Sequence, residues 1–242
     1  MTPIFSFEYP LRACDFDCYH YLQAASVMDL FQDAAGRHAI ELGIGFPQLA
    51  EKHQMWILSG VQYQVFENPH MYQTVRVVTW PLPASSVTCR REYRMESLDG
   101  TLLVKGTSDW AIMDGDKRKL LRAREVYPEG LDYCTDLCFE ERMPRLKPFE
   151  TDSEGTIIVP GFAQLDMNGH VNNTKYANFI LDCVNPKADE NISVFQIHYR
   201  KELLPQQEVA LYTKREENTI MVQGCNRQNE VMFLGRILLQ TK

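Results

Sequence analysis

Apolar positions along this chain keep one period and then another, and the switch occurs twice. Across residues 22–42, Ala24, Val27, Met28, Phe31, Ala35, His38 and Leu42 fall at three- and four-residue steps and line one stripe of a long helix. Gly43 follows where a left-handed cap suits glycine, and Gly45-Phe46-Pro47 opens a second short helical turn. The period then becomes two. Residues 55–66, 74–80, 87–95 and 102–113 read as strands rich in Val, Ile, Tyr and Trp. Asn68-Pro69, residues 81–85 and Asp99-Gly100 separate them as turns, the last a strong hairpin signal. A strand at 4–12 and a turn-like stretch at 14–19 precede the helix.

Residues 127–148 break the alternation with Pro128, Gly130, Pro144 and Pro148, and read as a linker packed through Leu131, Tyr133, Leu137 and Phe139. The layout then repeats. A strand at 156–159 leads into a polar loop at 166–173. A helix stripe of Tyr176, Phe179, Ile180 and Cys183 ends at Asn185-Pro186. Strands follow at 194–199, 209–213, 219–225 and 232–239. The expected organisation is a first domain at 1–130, a linker at 131–150 and a second domain at 151–242. Two copies of one architecture follow one another with little sequence identity. Setting Asp15 against Asp166 pairs Asp17 with Asn168 and Tyr19 with His170. On that pairing the first copy keeps the loop and not its chemistry.

Composition narrows the function. The chain has 242 residues, 45% of them hydrophobic, which suffices for sizeable cores. Apolar runs are short for a membrane span, and the first residues lack the basic head and apolar stretch of a signal peptide, so a cytoplasmic protein is expected. A net charge of -7 argues against nucleic acid as a general partner. One basic run stands out, Lys117, Arg118, Lys119, Arg122 and Arg124, readable as a solvated strand end or as a patch for an acidic partner. Seven cysteines without a CxxC pair read as free thiols rather than a disulfide framework. Cys14, Asp15, Asp17, Cys18 and His20 lack the paired spacing of a zinc site, so neither metal nor cofactor is expected.

The densest chemistry lies in residues 165–176, where Asp166, Asn168 and His170 alternate. In extended backbone, alternate side chains point the same way, so the three can converge. Gly169 permits an unusual φ, and the start of the following helix offers amide donors to a developing oxyanion. Residue types alone leave a structural alternative open: Asp and Asn ahead of a helix are commonly caps, and Asn172 or Asn173 could fill that role.

The words Asp166-Met-Asn-Gly-His-Val-Asn-Asn-Thr-Lys-Tyr176 and Tyr199-Arg-Lys-Glu202 resemble the signature of acyl-acyl-carrier-protein thioesterases. Leu30-Phe-Gln-Asp-Ala-Ala-Gly-Arg-His38 and Gly106-Thr-Ser-Asp-Trp110 extend the resemblance over nearly the whole chain. It implies an α+β fold of two tandem hotdog domains, each an antiparallel sheet wrapped around a long central helix. It implies catalytic roles for Asp166, Asn168, His170 and Glu202, and release of a free fatty acid from acyl carrier protein, which ends chain elongation. Plant members often carry Cys after the Glu; Leu203 here rules out a cysteine nucleophile at that place. Glu202, expected to be partly buried, is the candidate general base, with His170 and Asn168 facing the carbonyl. Asp166 is either an anchor of the loop or a nucleophile. His198 shares a strand face with Gln196, Arg200 and Glu202 if the strand runs unbroken, and reads as a face residue rather than a second base. The helix stripe of the first copy, with Met55, Trp56 and Trp110, suits an acyl tunnel or plain core. A homodimer is an allowed assembly. The competing functions are an acyl-CoA thioesterase, a hotdog-type hydratase or dehydratase, and an acyl-sensing module.

Overall fold

The structure, a computed structural model, describes residues 2–84, 86–151 and 154–241. Ser85, the end of a predicted turn, lies outside the described residues. The chain falls into two compact units, Met1–Leu22 with Val27–Met143, and Gln23–Ser26 with Pro144–Lys242.

The first unit contains β1 (Phe5–Pro10), α1 (Ala24–Glu41) from Val27 on, α2 (Phe46–Ala50), β2 (Gln54–Val65), β3 (Thr74–Pro81), β4 (Cys89–Ser97), β5 (Leu102–Asp114) and β6 (Lys119–Leu121). Its strands lie in the order β1-β3-β4-β5-β2, all antiparallel, with β6 on β5. Alternation along β4 sorts the side chains onto two faces. Tyr93 stacks on Phe31 of α1, ring centroids 4.6 Å apart. Phe31 sits so close to the sheet that a Cβ on Gly106 would fall 2.4 Å from its ring, so β5 needs glycine there. The helix stops at Gly43, whose φ is +72°. Strand β6 was not predicted. Its Lys119-Leu120-Leu121 has no alternation, and its strand character comes from pairing Leu121 with Ile112 and Lys119 with Asp114.

The second unit contains β7 (Thr156–Ile158), α3 (Lys175–Val184), β8 (Glu190–Tyr199), β9 (Val209–Glu216), β10 (Thr219–Asn226) and β11 (Val231–Thr241). The order β7-β9-β10-β11-β8 reproduces, strand for strand, that of the first unit. The glycine seat recurs: a Cβ on Gly235 would lie 2.8 Å from Cδ1 of Ile180 on α3. Helix α3 ends on Asn185 in the left-handed conformation, φ +47°.

The predicted linker is a strap bound by side chains to the sheet faces away from the helices. In the first unit Trp80 Nε1 donates to the Asp136 carbonyl, the Cys138 N–H donates to Glu92 Oε2, and Arg90 donates to the Phe139 carbonyl, at 2.9, 2.8 and 3.2 Å. Leu131 is buried there, while Leu137, expected to pack, is exposed. In the second unit Gln196 donates to the Pro144 carbonyl at 2.6 Å, and the Gln223 amide exchanges two hydrogen bonds with the Phe149 backbone. The 131–150 segment therefore divides between the units and is ordered by hydrogen bonds to their polar sheet faces.

Candidate functional site

The loop at 165–171 is closed by a short antiparallel bridge between Leu165 and Val171. Inside it, the Asp166 N–H donates to the His170 carbonyl at 2.8 Å and the Gly169 N–H to the Asp166 carbonyl at 3.0 Å. The turn requires positive φ at Gly169, +78°. The Asp166 carboxylate faces its own loop. Oδ1 accepts the N–H groups of Asn168 and His170, at 2.8 and 3.3 Å, and Oδ2 accepts Asn168 Nδ2 at 3.4 Å. Thr174 is the N-cap of α3 and makes no side-chain cap bond; its N–H and hydroxyl both donate to Asn172 Oδ1, at 3.0 Å. Asn168 is thus free of that duty, and its side chain is exposed. The Thr174 and Lys175 N–H groups are spent on Asn172, so the amides predicted to meet an oxyanion are partly occupied.

Glu202 arrives by a route the strand pattern did not predict. Strand β8 ends at Tyr199, and the N–H groups of Arg200 and Lys201 both donate to the Met232 carbonyl, at 2.9 and 3.0 Å. That bulge ends the alternation of faces. Phe195, Ile197 and Tyr199 form the helix face, with Tyr199 edge-on to Tyr176 of α3 at 5.1 Å. Gln196 and His198 take the opposite face, under the strap at Pro144 and Leu146. Burial, with Arg200, Arg145 and Arg236 nearby, holds the His198 pKa below its ordinary value, so this ring favours the neutral form. Beyond the bulge, Glu202 Oε2 stands 3.5 Å from His170 Nε2. The two side chains are 49% and 34% exposed, so Glu202 is less buried than expected and open to water.

Two residues given no role from the sequence tie the chain after Glu202 to the loop and to α3. The Leu203 carbonyl accepts the Val171 N–H, and the Leu203 N–H donates to Tyr176 Oη, each at 3.0 Å. The signals available beforehand were that Tyr176 opens the helix stripe and closes the word that begins at Asp166.

The first unit contains the same loop, and it corrects the predicted pairing by two residues. A bridge joins Phe16 and Leu22, the Asp17 N–H donates to the Tyr21 carbonyl at 2.9 Å, and His20 takes the positive φ, +67°. Asp17 Oδ1 accepts the Tyr19 and Tyr21 N–H groups, each at 2.9 Å. Asp17 is therefore the counterpart of Asp166, Tyr19 of Asn168, and Tyr21 of His170. Asp15, previously set against Asp166, instead pairs with Arg12 at 2.7 Å. The bulge after β2 repeats too: the Phe66 and Glu67 N–H groups share the Leu103 carbonyl, which makes Asn68 the counterpart of Glu202.

Elsewhere in the first unit, a cleft is lined by Met28, Phe31, Leu58, Val61, Ser108 and Trp110. Trp56 stands edge-on to Trp110 as predicted, ring centroids 6.3 Å apart, but is not among the cleft's lining residues; it donates to the Ile44 carbonyl at 2.8 Å and, with Trp110, packs against the core cluster of Leu42 and Leu49. Met55 pairs with Met113 in the ladder between β2 and β5. Lys117, Arg118 and Lys119 of the basic run lie in the β5–β6 hairpin, with Arg118 at φ +51° in its turn and Lys117 held by Asp114 at 3.1 Å, and Arg122 and Arg124 follow β6, both exposed. No helix among the described residues is long and apolar enough to cross a membrane.

Two family models match the chain: the acyl-ACP thioesterase N-terminal domain over residues 3–130 and the C-terminal domain over 149–238. An acyl-[acyl-carrier-protein] hydrolase, FATB2, of Cuphea viscosissima is 26% identical over 214 residues, covering 82% of this chain and 52% of that protein. Oleoyl-acyl carrier protein thioesterase 1 of Arabidopsis thaliana is 25% identical, covering 88% of this chain and 66% of that protein. The chain spans about half the length of several curated relatives it matches. Among solved structures, an acyl-ACP thioesterase from Bacteroides thetaiotaomicron superposes with a TM-score of 0.88 at 21% identity, covering 99% of this chain and all of that one. The 12:0-ACP thioesterase of Umbellularia californica gives 0.88 at 20% identity, covering 100% and 99%. These likenesses carry the hotdog fold.

Proposed function

The chain belongs to the acyl-ACP thioesterase family, and on that premise we propose that it hydrolyses fatty acyl thioesters of acyl carrier protein, with the chemistry in the second of two tandem hotdog domains. The observation that carries this reading is the 3.5 Å approach of His170 Nε2 to Glu202 Oε2, two side chains distant in sequence that converge beside an exposed amide, Asn168. Domains at 1–130 and 151–242 joined by the strap accord with this division, the first serving the acyl chain through the cleft lined by Phe31 and Trp110.

A thioester carbonyl is already electrophilic, so the site has to deliver water and hold the charge that develops. Glu202, open to solvent and beside His170, takes the proton as water attacks the carbonyl carbon. Asn168 Nδ2, which has a second N–H to give, and His170 face the oxyanion. Its collapse breaks the carbon–sulfur bond, and the proton passes to the departing thiolate, giving a carboxylic acid and a thiol. Asp166 is the anchor in this reading: three donors from its own loop occupy its oxygens. Direct attack by water therefore has more support than an anhydride on Asp166.

Hydrolysis assays across acyl lengths, on carrier protein and on coenzyme A, test the assignment. His170→Ala and Glu202→Ala are each expected to lower kcat by about 10²–10⁴-fold. Near-normal rates in both variants sink the site. The exposed Arg118 in the β5–β6 turn and Arg122 just after β6 suit an acidic carrier by charge complementarity. Charge reversal at both positions is expected to raise KM for acyl-acyl carrier protein about tenfold and leave KM for acyl-CoA unmoved; equal effects on the two substrates refute that docking site.

A further inference from the structure

The His170–Glu202 contact joins two half-exposed side chains, and flexible side chains in water do not hold a catalytic geometry unaided. What holds it is the next residue. Leu203 is fully buried and fixed at both backbone ends, its carbonyl by the Val171 N–H and its N–H by Tyr176 Oη. The residue after Glu202 is thus tied to the residue after His170 and to the first turn of α3. We infer that Tyr176 is a positioning residue for the catalytic pair, its hydroxyl acting through the Leu203 amide to fix where Glu202 stands against His170. This rests on the assignment of Glu202 and His170 proposed above.

The tyrosine is built for the task. Its ring is wedged edge-on against Tyr199 and Phe233, each with centroids 5.1 Å away. Tyr199 is itself locked, its hydroxyl donating to the Asn173 carbonyl at 2.8 Å, so the start of α3 and the end of β8 are pinned together. Burial, with the Glu202 and Asp166 charges adding to it, raises the Tyr176 pKa well above the ordinary phenol value. The hydroxyl therefore keeps its proton and adds no charge to the site.

The first unit supplies a control. Phe31 and Ile180 occupy matching seats over Gly106 and Gly235, which makes Val27 the counterpart of Tyr176. The turns after the two bulges also match, with Tyr72 and Gln206 at φ +65° and +61°, and this makes Pro69 the counterpart of Leu203. Proline has no N–H and valine no hydroxyl, so the clamp cannot form where the histidine and glutamate are missing. In its place the Leu22 N–H reaches the Asn68 side chain, at 3.4 Å.

A kinetic double-mutant cycle on the full chain tests the inference, using acyl-acyl carrier protein thioesters and rates normalised to the folded fraction read by circular dichroism. Tyr176→Phe keeps the ring and deletes the acceptor. It is expected to lower kcat about tenfold while moving KM less than about twofold. In a Glu202→Gln background the same change is expected to alter the residual rate by less than about twofold. Leu203→Pro, whose backbone the first unit accommodates at Pro69, removes the donor instead, and its kcat loss should not multiply with that of Tyr176→Phe. An unchanged kcat in Tyr176→Phe, or equal proportional losses in both backgrounds, overturns the inference while leaving the site assignment standing. An undiminished rate in Glu202→Gln overturns the site assignment and the clamp with it.

Discussion

The loops around Asp17 and Asp166 have the same backbone hydrogen bonds and different side chains at almost every position facing outward. Both are closed by a one-pair bridge, both place an aspartate where Oδ1 takes two amides of its own turn, and both need one residue with positive φ. Where the second loop presents Asn168, His170 and Glu202, the first presents Tyr19, Tyr21 and Asn68. The difference separates what the loop requires from what the reaction requires. The aspartate is common to both copies, so it belongs to the architecture of the turn. The amide at 168, the imidazole at 170 and the carboxylate at 202 have no like residue at the matching positions of the first copy, as the proposed chemistry requires. The left-handed position makes the same point: Gly169 takes it without strain, while His20 holds it at a cost of about 1 kcal/mol.

The comparison can be broken most forcefully by exchanging like for like. Tyr21→Ala and Asn68→Ala should leave kcat within about twofold of the parent, against the 10²–10⁴-fold losses expected of His170→Ala and Glu202→Ala. Comparable losses in both loops would mean the first is not silent. A smaller effect concerns the shared aspartates. Asp166→Ala and Asp17→Ala should each lower unfolding stability by about 1–2 kcal/mol, because each leaves two loop amides without an acceptor. Only the former should slow turnover. Single-turnover reaction in ¹⁸O-labelled water should leave Asp166 unlabelled, and label in its carboxylate would make it the nucleophile instead of the anchor.

A last effect, on stability alone, tests the length difference between the helices. Helix α1 runs for 18 residues and α3 for 10, and the extra turns carry His38 into a buried place. There Nδ1 accepts from Arg91 at 3.0 Å, which leaves Nε2 to donate to the Thr2 carbonyl at 3.1 Å. Burial, then the Arg91 charge, pulls the His38 pKa from 6.5 to about 4. The unfolded chain therefore binds a proton below about pH 6.5 that the folded chain refuses until about pH 4. Stability falls as pH drops through that window, by at most about 3 kcal/mol. Urea-unfolding free energies measured from pH 7 to 4 should show the parent losing more than His38→Gln; parallel curves would remove His38 from the account.

Much of the fold was legible because local pattern and tertiary burial agree in it. The period-three-and-four stripe of α1, the alternation along β2 to β5 and Asp99-Gly100 each encode which face meets the core. Strand β6 was not legible, since its pairing with β5 exists only once the hairpin closes. The strap was read as a linker because its contacts are made by Gln196, Gln223, Glu92 and Trp80, polar or mixed groups whose partners lie dozens of residues away.

At the site, neighbouring residues are enough to shape the loop. Asp166, Asn168, Gly169 and His170 are near neighbours, and short-range hydrogen bonds with one glycine suffice to shape the turn. The rest is set by packing: β8 breaks before Glu202, the break brings its carboxylate to His170, and the loop of the first copy aligns through Asp17 and not Asp15. The physical reason is range. A turn is fixed by bonds spanning two to four residues and leaves its trace in the order of residue types. A bulge shared on the Met232 carbonyl and a clamp through Tyr176 are closed by groups brought together only when helix and sheet pack, and no spacing along the chain records them.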